Sequence, residues 1–322
     1  MFIKQGFKGQ HNWTNYLGGG LIIFFFFFMA QSLVGAFIQF KAMNAKNPIS
    51  LAEGTFTEVI NASGLPSNLV IFFMLLSFVV GFGGIYIVIK YAHNRNLKSL
   101  ITTRKKMDWK RFFFSFGLMA VLIIISTVFA YYNNPEDFEI QFQLLPFLIL
   151  LLISLLLIPI QVAFEEILFR GYLLQGFGVI FKNNWVPWIL TSVFFGLMHG
   201  SNPEVAELGK TLLIYYIGTG LFLGILTLMD DGIELALGFH TANNLIQILL
   251  ITSDYSIFQS ASILKEITKP DNAWQEIVFP LLVIYPLFIL IFSKVYQWKN
   301  WKEKLFGKIK TPLKTIENHH EL

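Results

Sequence analysis

The chain contains no cysteine. Disulfides, thiolate metal sites and a thiol nucleophile are therefore excluded. Charge is scarce too: Asp, Glu, Lys and Arg make up 14% of the 322 residues, against about a quarter in a soluble domain. The net charge of +4 is too small to point to nucleic acid as a partner. There is no glycine-rich phosphate loop, no heptad seam and no internal repeat, so nothing suggests nucleotide binding or a coiled coil. An HExxH helix is also missing.

Apolar length is abundant. Hydrophobic residues make up 55% of the chain, 35 residues are phenylalanine, and the mean hydropathy is +0.60. Several apolar runs approach or reach the ~20 residues needed to cross a bilayer as helix. The reading is an all-α, polytopic membrane protein of about eight transmembrane helices around a polar cavity. Spans are expected near 17–40, 69–91, 112–132, 144–174, 185–200, 211–229, 232–252 and 278–296. The first run, Leu17 to Phe40, is long enough to remain as a span rather than be cleaved as a signal. Within it, the FFFFF run at 24–28 is expected to face lipid or pack between helices.

Charged loops orient the bundle. Segment 93–111, HNRNLKSLITTRKKMDWKR, holds seven Lys or Arg and one Asp, and the tail after Ser293 holds seven lysines. Segment 133–143, NNPEDFEIQFQ, holds three acids and no base. With alternating sides, both basic segments fall on one face, so a cell-membrane protein with both termini cytoplasmic is expected. The lipid bilayer is its solvent. Asp230–Asp231 is expected to form a solvated turn, and Glu234 to lie at the interface.

Ionisable groups within the spans are concentrated between residues 144 and 252. In AFEEILFR, Glu166 and Arg170 are four apart on one helical face and in the favourable order for pairing. Glu165 points about 100° away and is free for another task. Of six histidines, only His199 and His240 lie in apolar spans. Phe195 and His199 share a face, as do His240 and Asn244. Intramembrane ionisable groups are costly and are functional candidates by default. The bland alternatives are a buried ion pair for Glu166–Arg170, satisfied core histidines, and Asn244 as interhelical glue. Depth is the difficulty. A straight helix from Leu144 to Phe181 would be about 57 Å long, well beyond a core of ~30 Å, so Pro159 is expected to kink or break it.

Taken together, EEILFR (165–170), FGLMH (195–199) and HTANN (240–244) resemble the EExxxR, FxxxH and HxxxN motifs of the CPBP family of intramembrane proteases. That family includes CAAX prenyl endopeptidases of the Rce type and bacterial Abi or bacteriocin-processing proteins. The resemblance covers about residues 150–250 and implies a membrane-embedded endopeptidase. By that resemblance, Glu165 would activate the attacking water with His199 beside it. His240 and Asn244 would stabilise the oxyanion, while Glu166, Arg170 and Phe195 would support them. The implied organisation is helices 1–3 in 1–143, a catalytic core in 144–252, and a loop, last span and basic tail in 253–322.

Elementary chemistry agrees. A carboxylate withdrawn from bulk water is a better base for water, and fixed donors stabilise a developing oxyanion. Two options stay open on metal. Glu165, His199 and His240 could form a two-histidine, one-carboxylate zinc site, or no cofactor is needed; the metal-free glutamate mechanism is favoured. The expected partner is a peptide or membrane-protein substrate. The competing reading is a non-proteolytic immunity or scaffold protein, or a transporter using the same groups as a proton relay.

Overall fold

The computed structural model describes residues 1–269 and 274–311. Helix dominates, because in hydrocarbon the backbone must satisfy its own hydrogen bonds. A 3-10 arm, Phe2–Phe7, leads into α1 (Trp13–Met43), α2 (Phe56–Ser63) and α3 (Ser67–Ile87), which ends in a π turn at Val88–Ala92. Next come α4 (Trp109–Asn133), α5 (Leu144–Glu166), a π turn at Ile167–Leu173 and α6 (Leu174–Phe181). They are followed by α7 (Trp185–Met198), α8 (Pro203–Leu208), α9 (Leu212–Asp230) and α10 (Glu234–Leu250). The described chain closes with α11 (Trp274–Phe279), α12 (Tyr285–Val295) and α13 (Trp301–Phe306). Lys314, His319 and His320 of the basic tail lie outside the described residues.

Among the described residues six helical stretches are long and apolar enough to cross a membrane: 13–43, 67–92, 109–133, 144–181, 212–230 and 277–295. The protein is thus an all-α, multi-pass membrane protein. The other two expected spans are shorter, with 14 residues in α7 and 17 in α10. α7 stops where Gly200, Asn202 and Pro203 supply turn signals. α10 is packed between α4 and α5 and is buried along most of its length.

Of the kink or break expected at Pro159, the break does not occur. α5 runs through it, and α geometry is lost only at the π turn Ile167–Leu173. Proline is tolerated within such helices because neighbouring groups re-satisfy the freed carbonyl. π turns are frequent at functional positions, and this one carries Arg170. The large exposed side chains, among them Leu145, Leu152, Leu156 and Phe129, form the lipid-facing surface. The FFFFF run divides as expected: Phe25 and Phe28 are exposed, while Phe27 is buried and stacks on Phe164 at 4.9 Å.

The two ends of α4 and α10 differ in kind. Beyond their C-termini lies a small sheet of β1 (Phe138–Ile140), β2 (Ile251–Ser253) and β3 (Leu264–Glu266), in the order β1-β3-β2. β1 runs antiparallel and β2 parallel to the central β3. At the N-terminal ends sits an ionic cluster that corrects the expectation for Asp230–Asp231. Asp230 is buried and pairs with Arg104 at 2.9 Å and Arg111 at 2.5 Å. Asp231, in the left-handed region at φ 57°, accepts from Phe2 N and Lys304 Nζ, both at 2.8 Å. Burial pushes the Asp231 carboxyl up, but Lys304 and the terminal amine outweigh it and hold the carboxyl below its usual range. Glu234 is buried against Arg104 at 3.1 Å. The turn is largely covered because segment 93–111, the N-terminal arm and α13 fold over it. Met1, α13 and segment 93–111 therefore share one face of the bundle. Asp230→Asn should lower thermal stability by about 1–3 kcal/mol, the scale of a lost hydrogen bond to a charged group. A melt of the purified variant in detergent would check this.

One close approach sets the position of α10. A Cβ on Gly238 would lie 2.2 Å from the Phe112 carbonyl oxygen of α4. Any side chain there would push away the helix that carries His240 and Asn244.

Candidate active site

The site forms where the end of α5 and the following π turn face α10, with α7 alongside. Gln161 and Glu165 are one helical turn apart, and Gln161 Nε2 donates to Glu165 Oε1 at 2.9 Å. Glu166 points into the interior, where its Oε1 accepts two donors. Arg170 Nη1 and His240 Nδ1 both reach it at 2.8 Å. The adjacent acids thus have different surroundings. The Glu166 side chain is 0% exposed, whereas the Glu165 side chain keeps 11% of its surface accessible.

The bond to Glu166 fixes the His240 ring. An ionised carboxylate only accepts, so Nδ1 carries the proton, and Nε2 is turned towards Glu165 and Asn244. His240 Nε2 lies 3.6 Å from Glu165 Oε2 and 3.4 Å from Asn244 Nδ2. Asn244 Nδ2 also donates to Gln161 Oε1 at 3.3 Å. Gln161, Glu165, His240 and Asn244 therefore close a polar ring between α5 and α10. Within it, Glu165 Oε2 is buried and has no hydrogen-bond partner. A buried acceptor left unsatisfied is costly and calls for an explanation.

Phe195 of α7 is the wall that joins the remaining members. Its ring packs 4.2 Å from the Arg170 guanidinium carbon, a cation–π contact in a desolvated setting. Its centroid lies 4.7 Å from that of His199 and 6.0 Å from that of His240. His199 caps the C-terminus of α7 rather than sitting within the helix, and its Nδ1 donates to the Phe195 carbonyl at 2.8 Å. The imidazole stacks on Tyr216 of α9 with centroids 4.3 Å apart, and Tyr216 in turn donates to Glu204 at 2.7 Å.

Glu165, Glu166, Arg170, His240, Asn244 and Phe195 are brought together. His199 joins them through the Phe195 ring, with no hydrogen bond or ion pair to Glu165 among the described residues. Gln161 and Tyr216 were not singled out in the sequence; for Gln161, four residues before Glu165, the i, i+4 spacing was the available signal. Glu166 carries a second duty, orienting His240, that its pairing with Arg170 alone did not suggest. Among the described residues no three or more His, Cys, Asp or Glu side chains are placed to hold a metal ion. Both Nδ1 atoms are held by protein acceptors, which leaves Nε2 as the remaining ring nitrogen of each histidine.

Residues 143–246 match the family described as Type II CAAX prenyl endopeptidase Rce1-like. Over 222 residues the chain is 30% identical to YyaK of Bacillus subtilis (strain 168), an uncharacterised protein, covering 69% of this chain and 72% of that one. No solved structure matches the chain. With its membrane helices and this match across the segment that carries the polar ring, the chain belongs to the Rce1-like family, whose members are generally proteases.

Proposed function

We propose that this protein is an intramembrane endopeptidase that hydrolyses a peptide bond with water activated by Glu165. The observation that carries the reading is the buried Glu165 Oε2, which has no hydrogen-bond partner and lies 3.6 Å from His240 Nε2. A base for water needs a free lone pair beside groups that can manage the resulting charge. In this reading Glu165 takes a proton from water as the oxygen attacks the carbonyl carbon. The peptide oxygen then gathers negative charge next to Asn244 Nδ2, whose position is held by the unprotonated Nε2 of His240 at 3.4 Å. A fixed donor of this kind contributes roughly 3–4 kcal/mol. Glu165 returns the proton to the leaving amine, which completes hydrolysis. Glu166 and Arg170 hold the His240 ring in place, and Gln161 orients the Glu165 carboxyl. His199, tied to the Phe195 carbonyl, is assigned to holding the water with Glu165.

The catalytic core is assigned to 144–252, preceded by helices in 1–143 and followed by the last span and basic tail in 253–322. The face that carries segment 93–111 is assigned to the cytoplasm, because its excess of Lys and Arg marks the retained side. A prenylated CAAX-type peptide is the first substrate class to test, with unmodified peptides and membrane-protein segments as comparison. A proton-relay transporter would use the same carboxylate without releasing peptide fragments, so product analysis separates the two.

Asn244→Ala should lower kcat about 10²–10³-fold, the cost of one oxyanion donor, with a small change in thermal stability because Asn244 is only half-buried. Steady-state kinetics and a melt on the same preparation check both. Cleavage should persist when a chelator is added to purified protein in lipid. Full loss with chelator and recovery with zinc would overturn the metal-free mechanism.

A further inference from the structure

A second polar feature lies on the face that carries segment 93–111, away from the ring. A cavity of about 340 Å³ opens between the N-terminal arm and residues 94–103. Its lining includes Gln5, Lys8, Arg95, Lys98, Ser99 and Thr102, and no acidic residue. Arg95 is the telling member, because it is only 8% exposed. Its guanidinium donates to Ser99 Oγ at 3.2 Å, Tyr16 OH at 2.9 Å and Gln175 Oε1 at 2.5 Å. All three acceptors are neutral. Lys8 and Lys98 likewise reach only neutral oxygens, Gln5 Oε1 at 2.7 Å and the Lys105 carbonyl at 3.1 Å.

Among the described residues none of the three cations has a carboxylate partner. A buried charge without a counter-ion is among the costliest arrangements in a fold. Burial also works against the Arg95 guanidinium, pulling its pKa below the usual range. The cavity is built rather than incidental. Gly9 takes φ 62°, and a Cβ there would sit 2.2 Å from the His93 carbonyl oxygen, so glycine is needed to lay the arm against this segment. His93 then bonds the Gln10 carbonyl at 2.6 Å and Tyr172 at 3.0 Å, tying the arm to the helix that bears Arg170.

We infer that this cavity is an anion site for a phosphoryl group, held by the buried Arg95 guanidinium and the Lys8 and Lys98 ammonium groups where the bundle meets water. A planar guanidinium flanked by two ammoniums suits a phosphate better than a carboxylate in charge and in the number of donors. The group can arrive as an anionic phospholipid headgroup, since basic pockets between helix ends recognise such lipids, or as a soluble phosphate. Bound there, it would neutralise Arg95 and brace the arm, residues 94–99 and α6 against one another.

The test uses the full chain, purified and delipidated in detergent. Melting is followed with added dioleoylphosphatidylglycerol, dioleoylphosphatidylcholine or inorganic phosphate, and retained lipid is read by native mass spectrometry. The Lys8→Gln/Lys98→Gln variant keeps the hydrogen-bonding reach of both residues and removes their charge, leaving Arg95 and the core untouched. Its control is Lys105→Gln/Lys106→Gln, which removes the same amount of charge from segment 93–111 outside the cavity. Phosphatidylglycerol should raise the melting temperature and be retained over phosphatidylcholine, and the affinity should fall about tenfold or more in the first variant alone. Stabilisation by inorganic phosphate without lipid preference, lost in the first variant alone, would assign the site to a soluble phosphate. Equal response to both lipids with no effect of phosphate, or equal loss in both variants, would overturn the site.

Discussion

Glu165→Gln should abolish peptide cleavage while leaving the protein folded. The amide is nearly isosteric with the carboxylate and can keep an oxygen towards Gln161 Nε2, now at 2.9 Å from Glu165 Oε1. It cannot take a proton from water. General-base contributions run roughly 10²–10⁴-fold, and with no second carboxylate free in the ring the loss should reach at least about 10³-fold, or about 4 kcal/mol in the barrier. Stability should hold or rise slightly, because the substitution removes a buried acceptor, Oε2, that has no partner. Kinetics and a melt on one preparation give both numbers. Glu165→Gln with full activity would remove the base from the mechanism.

Arg170→Ala should have the opposite profile, failing mainly in folding. Arg170 is 1% exposed, pairs with Glu166 at 2.8 Å and packs on the Phe195 ring. Its loss leaves the Glu166 carboxylate buried with only the His240 Nδ1–H as a partner. Removing one member of a buried pair costs about 3–5 kcal/mol, a large share of a typical folding stability of about 5–15 kcal/mol. Low yield and a much lower melting temperature are expected. Arg170→Met combined with Glu166→Gln should recover most of the stability, since no charge is then stranded, and the new amide oxygen still offers His240 an acceptor. Arg170→Lys should recover less, because an ammonium lacks the planar fork and stacks poorly on Phe195. Normal stability of Arg170→Ala with cleavage lost would move Arg170 from supporting the fold to the chemistry itself.

Local patterns were readable wherever both partners lay on one helix. Glu166 and Arg170 at i, i+4 pair as their spacing implied, and Glu165 does point elsewhere. Apolar runs located the helices because lipid imposes length and composition together. What depended on distant segments was not readable. Asp230 looked like a solvated turn residue because its partner Arg104 is 126 positions away, and no local pattern announces that the two meet. The double use of Glu166 depends on His240, 74 residues further along, arriving on α10. The i, i+4 spacing of Gln161 to Glu165 was a weak signal, because a single Gln in an apolar run has many bland explanations. At Pro159 the helix continues without a break, and α geometry is lost at the π turn eight residues later. His199 marks the end of α7, in keeping with an expected span that closes at residue 200, since the turn residues that follow it end the helix.

The most direct measurement is hydrolysis in ¹⁸O-labelled water. Purified protein in lipid vesicles is incubated with a peptide library containing prenylated and unmodified members, and the products are read by mass spectrometry. Wild-type protein should release fragments with one solvent-derived oxygen at the new carboxyl terminus, and Glu165→Gln should release none. Peptides left intact by wild-type protein, or the same labelled fragments from Glu165→Gln, would contradict a glutamate-activated water.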